Sequence, residues 1–310
     1  MRLAERQRQL DALLLAFHPL WHPQPFRELQ PAWCEQWPAL AAELQALPES
    51  EVARLNDDGG AALRLLARYL PEVAEIAVLT DLPTCAARPL PAINAFWDWE
   101  IPGRKRQQIE AFAAAAAASG QPVLDWCGGK GHLGRLLALL WQVPVHSLDV
   151  DAALCEDGRA LARRAGVDHA FVHADALNVE GWPQPNQHAV ALHACGELHR
   201  RLIRSGAAGG VPGLDIAPCC YHRGVETHYQ ALSGPLRLQL SRDDTRLAVT
   251  ETVTAKARET RQRDQALAWK LGFDAWRRQL GDGGYQTFKP VLQTSCQLPL
   301  IQFWAVLCRP

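Results

Sequence analysis

Apolar residues recur at helical spacing through the first hundred positions: Leu10, Leu13, Leu14 and Phe17, then Trp37, Leu40, Ala41 and Leu44, then Leu63, Leu66, Ala67 and Leu70. Positions three and four apart share a helix face, so this stretch predicts several amphipathic helices. Pro19, Pro23, Pro25, Pro31 and Pro38 exclude one long helix, because proline lacks the amide and clashes with the preceding turn. Trp21, Trp33 and Trp37 supply bulk to pack between short helices; stacking on nucleic-acid bases is the other use of such side chains. A helical domain over residues 1–100 is the resulting expectation. The alanine run at 113–118 then predicts more helix.

From about residue 120 the pattern changes. Short apolar runs end in an acid or a reactive side chain: Val123-Leu124-Asp125, Val145-His146-Ser147-Leu148-Asp149, Phe171-Val172-His173-Ala174-Asp175, His188-Ala189-Val190-Ala191-Leu192-His193, and residues 211–217. Between them, Leu133, Leu136, Leu137, Leu140 and Trp141 leave little polar face, as for a helix packed inside a layered domain. Leu154, Gly158 and Leu161 make one face of another helix, which Asp151 caps and Gly166 stops. This alternation predicts an α/β domain over residues 101–310, with a parallel sheet whose ligands gather at the strands' C-terminal ends. Further on, residues 229–235 read as a loop, and a long helix carries Trp269, Phe273, Trp276 and Leu280 on one face. Residues 281–284 then turn the chain into Tyr285-Gln286-Thr287-Phe288, and residues 301–307 read as a final strand.

A chain of 310 residues that is 48% hydrophobic can bury the cores of two such domains. Nine cysteines, mostly within apolar segments, argue against a disulfide framework and for a reducing compartment. The apolar run at 13–17 is too short for a secretory core or a membrane span, so the expectation is a cytoplasmic protein without membrane association. Net charge of −1 excludes a globally basic nucleic-acid binder but leaves room for a local basic face. Arg200, Arg201 and Arg204 are one group. Lys256, Arg258, Arg261, Arg263, Lys270, Arg277, Arg278 and Lys289 are another, set against Glu259, Asp264, Asp274 and Asp282. Such faces track an RNA backbone or are simply solvated. Arg104-Lys105-Arg106 stands at a helix start, where the backbone already favours anions, so three cations there invite a phosphate or carboxylate.

The candidate chemistry centres on Asp125-Trp126-Cys127-Gly128-Gly129-Lys130-Gly131-His132. Glycines at 128, 129 and 131 let the backbone turn sharply and approach a ligand. Dinucleotide sites use G-x-G-x-x-G, whereas this turn reads Asp125-x-Cys127-x-Gly129-x-Gly131. Asp149 lies 24 residues after Asp125, where a carboxylate can accept from both ribose hydroxyls. This acidic-led turn resembles motif I of the class I methyltransferases that use S-adenosylmethionine. The resemblance implies a Rossmann-like class I methyltransferase sheet. It also implies cofactor contacts from Asp125, Cys127, Gly128, Gly129, Gly131 and His132, from Asp149 and Val150 at the ribose, from Asp175 and Ala176 at the adenine, and from His193.

Two later segments narrow it. His193-Ala194-Cys195-Gly196-Glu197-Leu198-His199 and Ala217-Pro218-Cys219-Cys220-Tyr221-His222 resemble the group that holds the tRNA acceptor-stem 2′-O-methyltransferases and the methyltransferase domain of the glutathione S-transferase C-terminal domain-containing protein. The likeness covers roughly residues 100–235. It departs at Cys127, which takes the first glycine position, at Tyr221, where the tRNA enzymes have histidine, and in the lack of a preceding Cys/His zinc module. The implied activity is methyl transfer to RNA, tRNA or rRNA, with a small-molecule acceptor or a non-catalytic cofactor-binding module as alternatives. A hydroxyl nucleophile must lose a proton, so His193 and His222 are candidate bases, and Tyr221 can orient a base or simply pack. Cys195, Cys219 and Cys220 either shape the pocket or supply a covalent nucleophile, as in RNA 5-methylcytosine enzymes. A zinc site of Cys195, Cys219, Cys220 and His222 is a weaker reading still, because adjacent cysteines lack C-x2-C spacing, so no structural metal is expected.

Overall fold

Five of the apolar segments form one parallel sheet in the computed structural model, which describes residues 2–24, 27–28, 30–93, 97–250 and 257–281. The strands are β1 (Val123–Trp126), β2 (Val145–Asp149), β3 (His169–His173), β4 (His188–Cys195) and β5 (Gly213–Cys219). They lie in the order β3-β2-β1-β4-β5, and every neighbouring pair is parallel. Parallel strands need crossovers, and those crossovers cover both faces, so β1 is buried at all four positions. Alternation along the strands sorts the core into two layers. Val123, Val145 and Val190 join Ile109, Leu133, Leu136 and Leu137 on one face; Leu124, Trp126, Leu148, Ala189 and Ala191 join Leu202 on the other.

The chain works outward from β1 to β3, then returns to the other side of β1 with β4. That reversal opens a crevice beyond the C-terminal ends of β1 and β4. The strand ends differ from their predicted positions by two residues in three cases. β3 stops at His173, leaving Asp175 in the following turn; β4 runs on to Cys195 across a register irregularity after Leu192; β5 extends to Cys219. The alanine run is helical only to the end of Gly103–Ala115, where Ala116 turns extended and is buried. Helix propensity there yields to tertiary packing.

The chain divides into two compact units, residues 82–251 and residues 1–81 with 252–310. In the second, the helices Leu3–Ala16, Pro38–Ala46, Glu49–Asp57 and Gly59–Ala67 are the longest before residue 82, and Leu40, Leu65, Leu70 and Val73 form a core. Trp33 and Trp37 pack against that core, and Trp21 donates its indole N–H to the Leu14 carbonyl at 2.9 Å. The helix Ala257–Gln279 overturns the expected apolar stripe. Trp276 and Leu280 are exposed, whereas Asp274 and Arg277 are buried, with Asp274 accepting from Arg277 at 2.8 Å and from Arg278 at 2.6 Å. Spacing of three and four places those groups on one face, so both cations share one carboxylate within the helix. Lys256, Asp282, Lys289, Pro25, the Tyr285 turn and the strand expected at 301–307 lie outside the described residues. No helix of the described residues is long and apolar enough to cross a membrane.

The contact of helix Ala152–Ala165 with β3 is tight. A Cβ added at Gly158 would sit 2.2 Å from Phe171 Cε1 and 2.4 Å from Cζ. Helix propensity alone favours Gly158→Ala by about 1 kcal/mol, while forcing a methyl into a filled core costs about 1–3 kcal/mol. A net loss is expected, read as a lower urea midpoint at unchanged m; a raised midpoint would show that Phe171 gives way freely.

Candidate active site

Beneath the glycine turn lies a carboxylate removed from water. Asp125 is 2% exposed; its Oδ2 accepts from the Gly134 N–H at 3.1 Å and the Ser147 hydroxyl at 3.0 Å. Ser147 Oγ is also 2.8 Å from His169 Nε2. Because the serine proton goes to the carboxylate, the His169 ring donates into the oxygen. Burial pushes His169 down to about 3, so the ring is neutral, and burial raises Asp125 from 3.8 to about 6 against the pull of Ser147 and Gly134. A Cβ on Gly128 would stand 2.5 Å from Asp125 Oδ2, and one on Gly131 would stand 2.5 Å from His169 Cε1. These glycines are therefore required by what lies behind the turn. Asp125, expected to touch a cofactor, instead braces the turn from below.

His132 is a second correction. It is buried, and its Nδ1 accepts from Arg135 Nη2 at 2.9 Å; burial and that guanidinium hold its pKa down to about 3. Arg135 in turn donates from Nε and Nη2 to the Trp97 carbonyl, at 3.1 and 2.9 Å. This pair ties the segment at residue 97 to helix His132–Trp141 and presents nothing to a ligand.

The front of the turn is different. Asp149 at the end of β2 accepts from the Gly129 N–H through Oδ2 at 2.8 Å and from the Asp151 N–H through Oδ1 at 3.0 Å. Each oxygen keeps acceptor capacity for a further donor. Val150 beside it is 65% exposed, a large apolar side chain left open at the strand end. Asp175 is exposed, accepting from the Leu177 N–H at 2.9 Å and from Asn178 Nδ2 at 2.6 Å, while Ala176 is buried beneath it. Cys127 takes a left-handed backbone with φ 56°, a conformation that glycine holds more cheaply, and burial pushes its thiol up to about 12.

Across the crevice, β4 and β5 deliver the reactive segments. His193 is exposed with φ 72°, and its Nε2 is 3.1 Å from Gln108 Oε1, which leaves Nδ1 as the accepting nitrogen. Burial, then Lys105 and Arg104, hold its pKa below the usual histidine value. Burial, then Arg246, Arg223 and Arg242, do the same for His222, whose Nδ1 is buried without a partner among the described residues. Cys195, Cys219 and Cys220 come together with all three sulfurs within 4.8 Å. Tyr221 stands edge-on to His199 with ring centres 5.6 Å apart, and with Glu197, Arg200, Arg223 and His228 it lines a cavity of about 230 Å³.

The cations sort into two kinds. Arg106 is held by Asp98 and by Glu110, and in the helix Glu197–Gly209 the single Glu197 carboxylate pairs with both Arg200 and Arg204, so the expected arginine group there is only partly neutralised. Arg104, Lys105, Arg223, Arg242 and Arg246 are exposed and make no ion pair among the described residues. Ser147, His169, Arg135 and Gln108 escape a reading of the sequence. A serine between His146 and Leu148 in β2 was the one available signal.

Residues 104–226 match the family model described as "Methyltransferase domain". The fold is that of a Rossmann-like class I methyltransferase. A glutathione S-transferase C-terminal domain-containing protein homolog from Drosophila pseudoobscura pseudoobscura is 29% identical over 122 residues, covering 38% of this chain. The match spans only a fifth of that relative's length. Among solved structures, TrmN from Thermus thermophilus is 21% identical, covering 37% of this chain and 36% of its own, with a TM-score of 0.29. The geranyl diphosphate C-methyltransferase from Streptomyces coelicolor A3(2) is 12% identical, covering 38% and 49%, with a TM-score of 0.23.

The bracing of the glycine turn has a pH signature. A carboxyl raised from 3.8 to about 6 in the folded chain favours folding most when protonated, and this contribution falls by about 3 kcal/mol as pH rises through that window. Asp125→Asn cannot titrate. The stability difference between wild type and variant, from urea unfolding at a series of pH values, should therefore shift against wild type across the window. A constant difference would show that Asp125 titrates normally.

Proposed function

We propose that the methyltransferase domain binds S-adenosylmethionine at the front of the glycine turn and methylates RNA held on the cations around His193 and His222. The observation that carries this reading is Asp149. Its carboxylate is fixed by the Gly129 amide at the C-terminal end of β2 and still has acceptor capacity on both oxygens, which suits a ribose diol. Exposed Val150 offers an apolar platform for an adenine ring, with the exposed Asp175 carboxylate in reach of an amino group. When bound, S-adenosylmethionine supplies an electrophilic methyl carbon.

The protein's own part is alignment and proton removal. His193 sits at the mouth of the crevice, oriented by Gln108, with Nδ1 available to take a hydroxyl proton. Five exposed cations without ion partners among the described residues surround the two histidines, and such a surface suits a phosphate backbone. Arg104 and Lys105 come from the helix start at Gly103; Arg242 and Arg246 come from the helix Arg242–Thr250.

Calorimetry and label transfer test the two halves. Asp149→Ala removes charge-assisted hydrogen bonds, so affinity for S-adenosylhomocysteine should fall about 10- to 100-fold; unchanged affinity would refute the cofactor site. Arg104→Glu with Lys105→Glu should weaken RNA binding and flatten its salt dependence, leaving S-adenosylhomocysteine affinity intact. Radiolabelled methyl groups appearing only in small metabolites would replace RNA with a small-molecule acceptor, and cofactor binding with no labelled product at all would make the domain a binding module.

A further inference from the structure

We propose that Cys195, Cys219 and Cys220 form a three-thiolate site for one zinc ion, with the fourth coordination position left open. The sulfurs all lie within 4.8 Å of one another, and those of Cys195 and Cys219 are 3.4 Å apart. Zinc–sulfur bonds of about 2.3 Å in a tetrahedron set neighbouring sulfurs about 3.8 Å apart, so small side-chain adjustments close the site.

The backbone is arranged for this convergence. Consecutive residues of a strand point to opposite faces, so Cys219 and Cys220 in extended geometry would aim their thiols apart. Cys220 instead adopts φ 48°, and His193, two residues before Cys195, adopts φ 72°. Left-handed backbone at a non-glycine residue costs on the order of 1–2 kcal/mol and persists where the surroundings enforce it. Here they do. The Gly196 N–H donates to the Cys219 carbonyl at 3.0 Å, the Arg223 N–H donates to the Cys220 carbonyl at 2.9 Å, and a Cβ on Gly196 would meet the Arg223 carbonyl oxygen at 2.1 Å. The two loops are thus locked together with three thiols between them.

Inert packing does not account for the cluster. All three cysteines are half-buried rather than enclosed, and the Cys195 thiol has weak partners, the His193 carbonyl and the Cys219 sulfur, each at 3.4 Å, and the Cys220 side chain. A Cys195–Cys219 disulfide would leave the convergence of Cys220 without a reason. No His, Asp, Glu or further Cys ligand atom of the described residues joins the group at this distance. Three protein ligands with an open position is the arrangement of zinc sites that act on a bound water or substrate, and closed four-ligand sites are the structural ones. Binding converts three thiols to thiolates and releases their protons to solvent; Arg223 flanks the residual negative charge. This inference stands apart from the choice of methyl acceptor.

Zinc is titrated into the reduced, metal-free full chain near neutral pH, and cobalt(II) is used as the spectroscopic probe of the same site. The expected result is one equivalent bound with proton release, and a thiolate-to-cobalt charge-transfer band that Cys195→Ser and Cys219→Ser abolish while Cys85→Ser, at an exposed cysteine outside the cluster, preserves it. Absence of any such band in the wild-type chain overturns the proposal without reference to variants. So does a band that survives Cys219→Ser in a chain folded by circular dichroism, or a Cys195–Cys219 disulfide recovered as the resting state.

Discussion

Removing the Asp125 carboxylate from water is the constraint on which the rest of the α/β unit depends. An isolated buried charge is costly, and this one is tolerated because Gly134 and Ser147 donate to it. The donors come from different elements: Gly134 from the helix after the turn, Ser147 from β2, and His169 of β3 behind Ser147. One carboxylate thus fixes the register of three adjacent strands and the position of the first crossover helix. Its rise to about 6 follows from burial, which the two hydrogen bonds offset only in part.

The turn's shape follows. Gly128 can lie on Asp125 and Gly131 on His169 only because neither carries a Cβ, and with the backbone pressed down there the Gly129 amide is presented to Asp149. The two acids of the motif therefore divide the work. Asp125 holds the turn from behind, and Asp149 clamps it in front while keeping lone pairs for a ligand.

On the other side of the crevice, order is imposed by backbone strain rather than by a buried charge. His193 and Cys220 both take left-handed conformations, locked by the Gly196–Cys219 and Arg223–Cys220 hydrogen bonds. This brings three thiols together and leaves His193 at the surface, oriented by Gln108. Burial and the nearby cations act together to lower the pKa of both histidines, and the same cations suit an anionic acceptor.

The sequence by itself determined the layered α/β class, the strand positions to within about two residues, the Asp151 cap and the Gly166 stop, because periodicity, capping and chirality act locally. It also determined the candidate residues at the strand ends. Tertiary structure alone decided which of them are buried and which stand at the surface. Asp125 and His132 turned inward because distant residues, Ser147 and Trp97, supply their partners directly or through Arg135. Among the arginines near residue 200 and at 277–278, Arg200 and Arg204 share the one carboxylate of Glu197, and Arg277 and Arg278 share that of Asp274, so part of each positive group is paired within its own helix. Cys195 and the Cys219-Cys220 pair carry no metal-ligand spacing in the chain, since spacing records only ligands on one segment. Their convergence depends on strand order and on the left-handed residues His193 and Cys220, and neither is written in any local pattern.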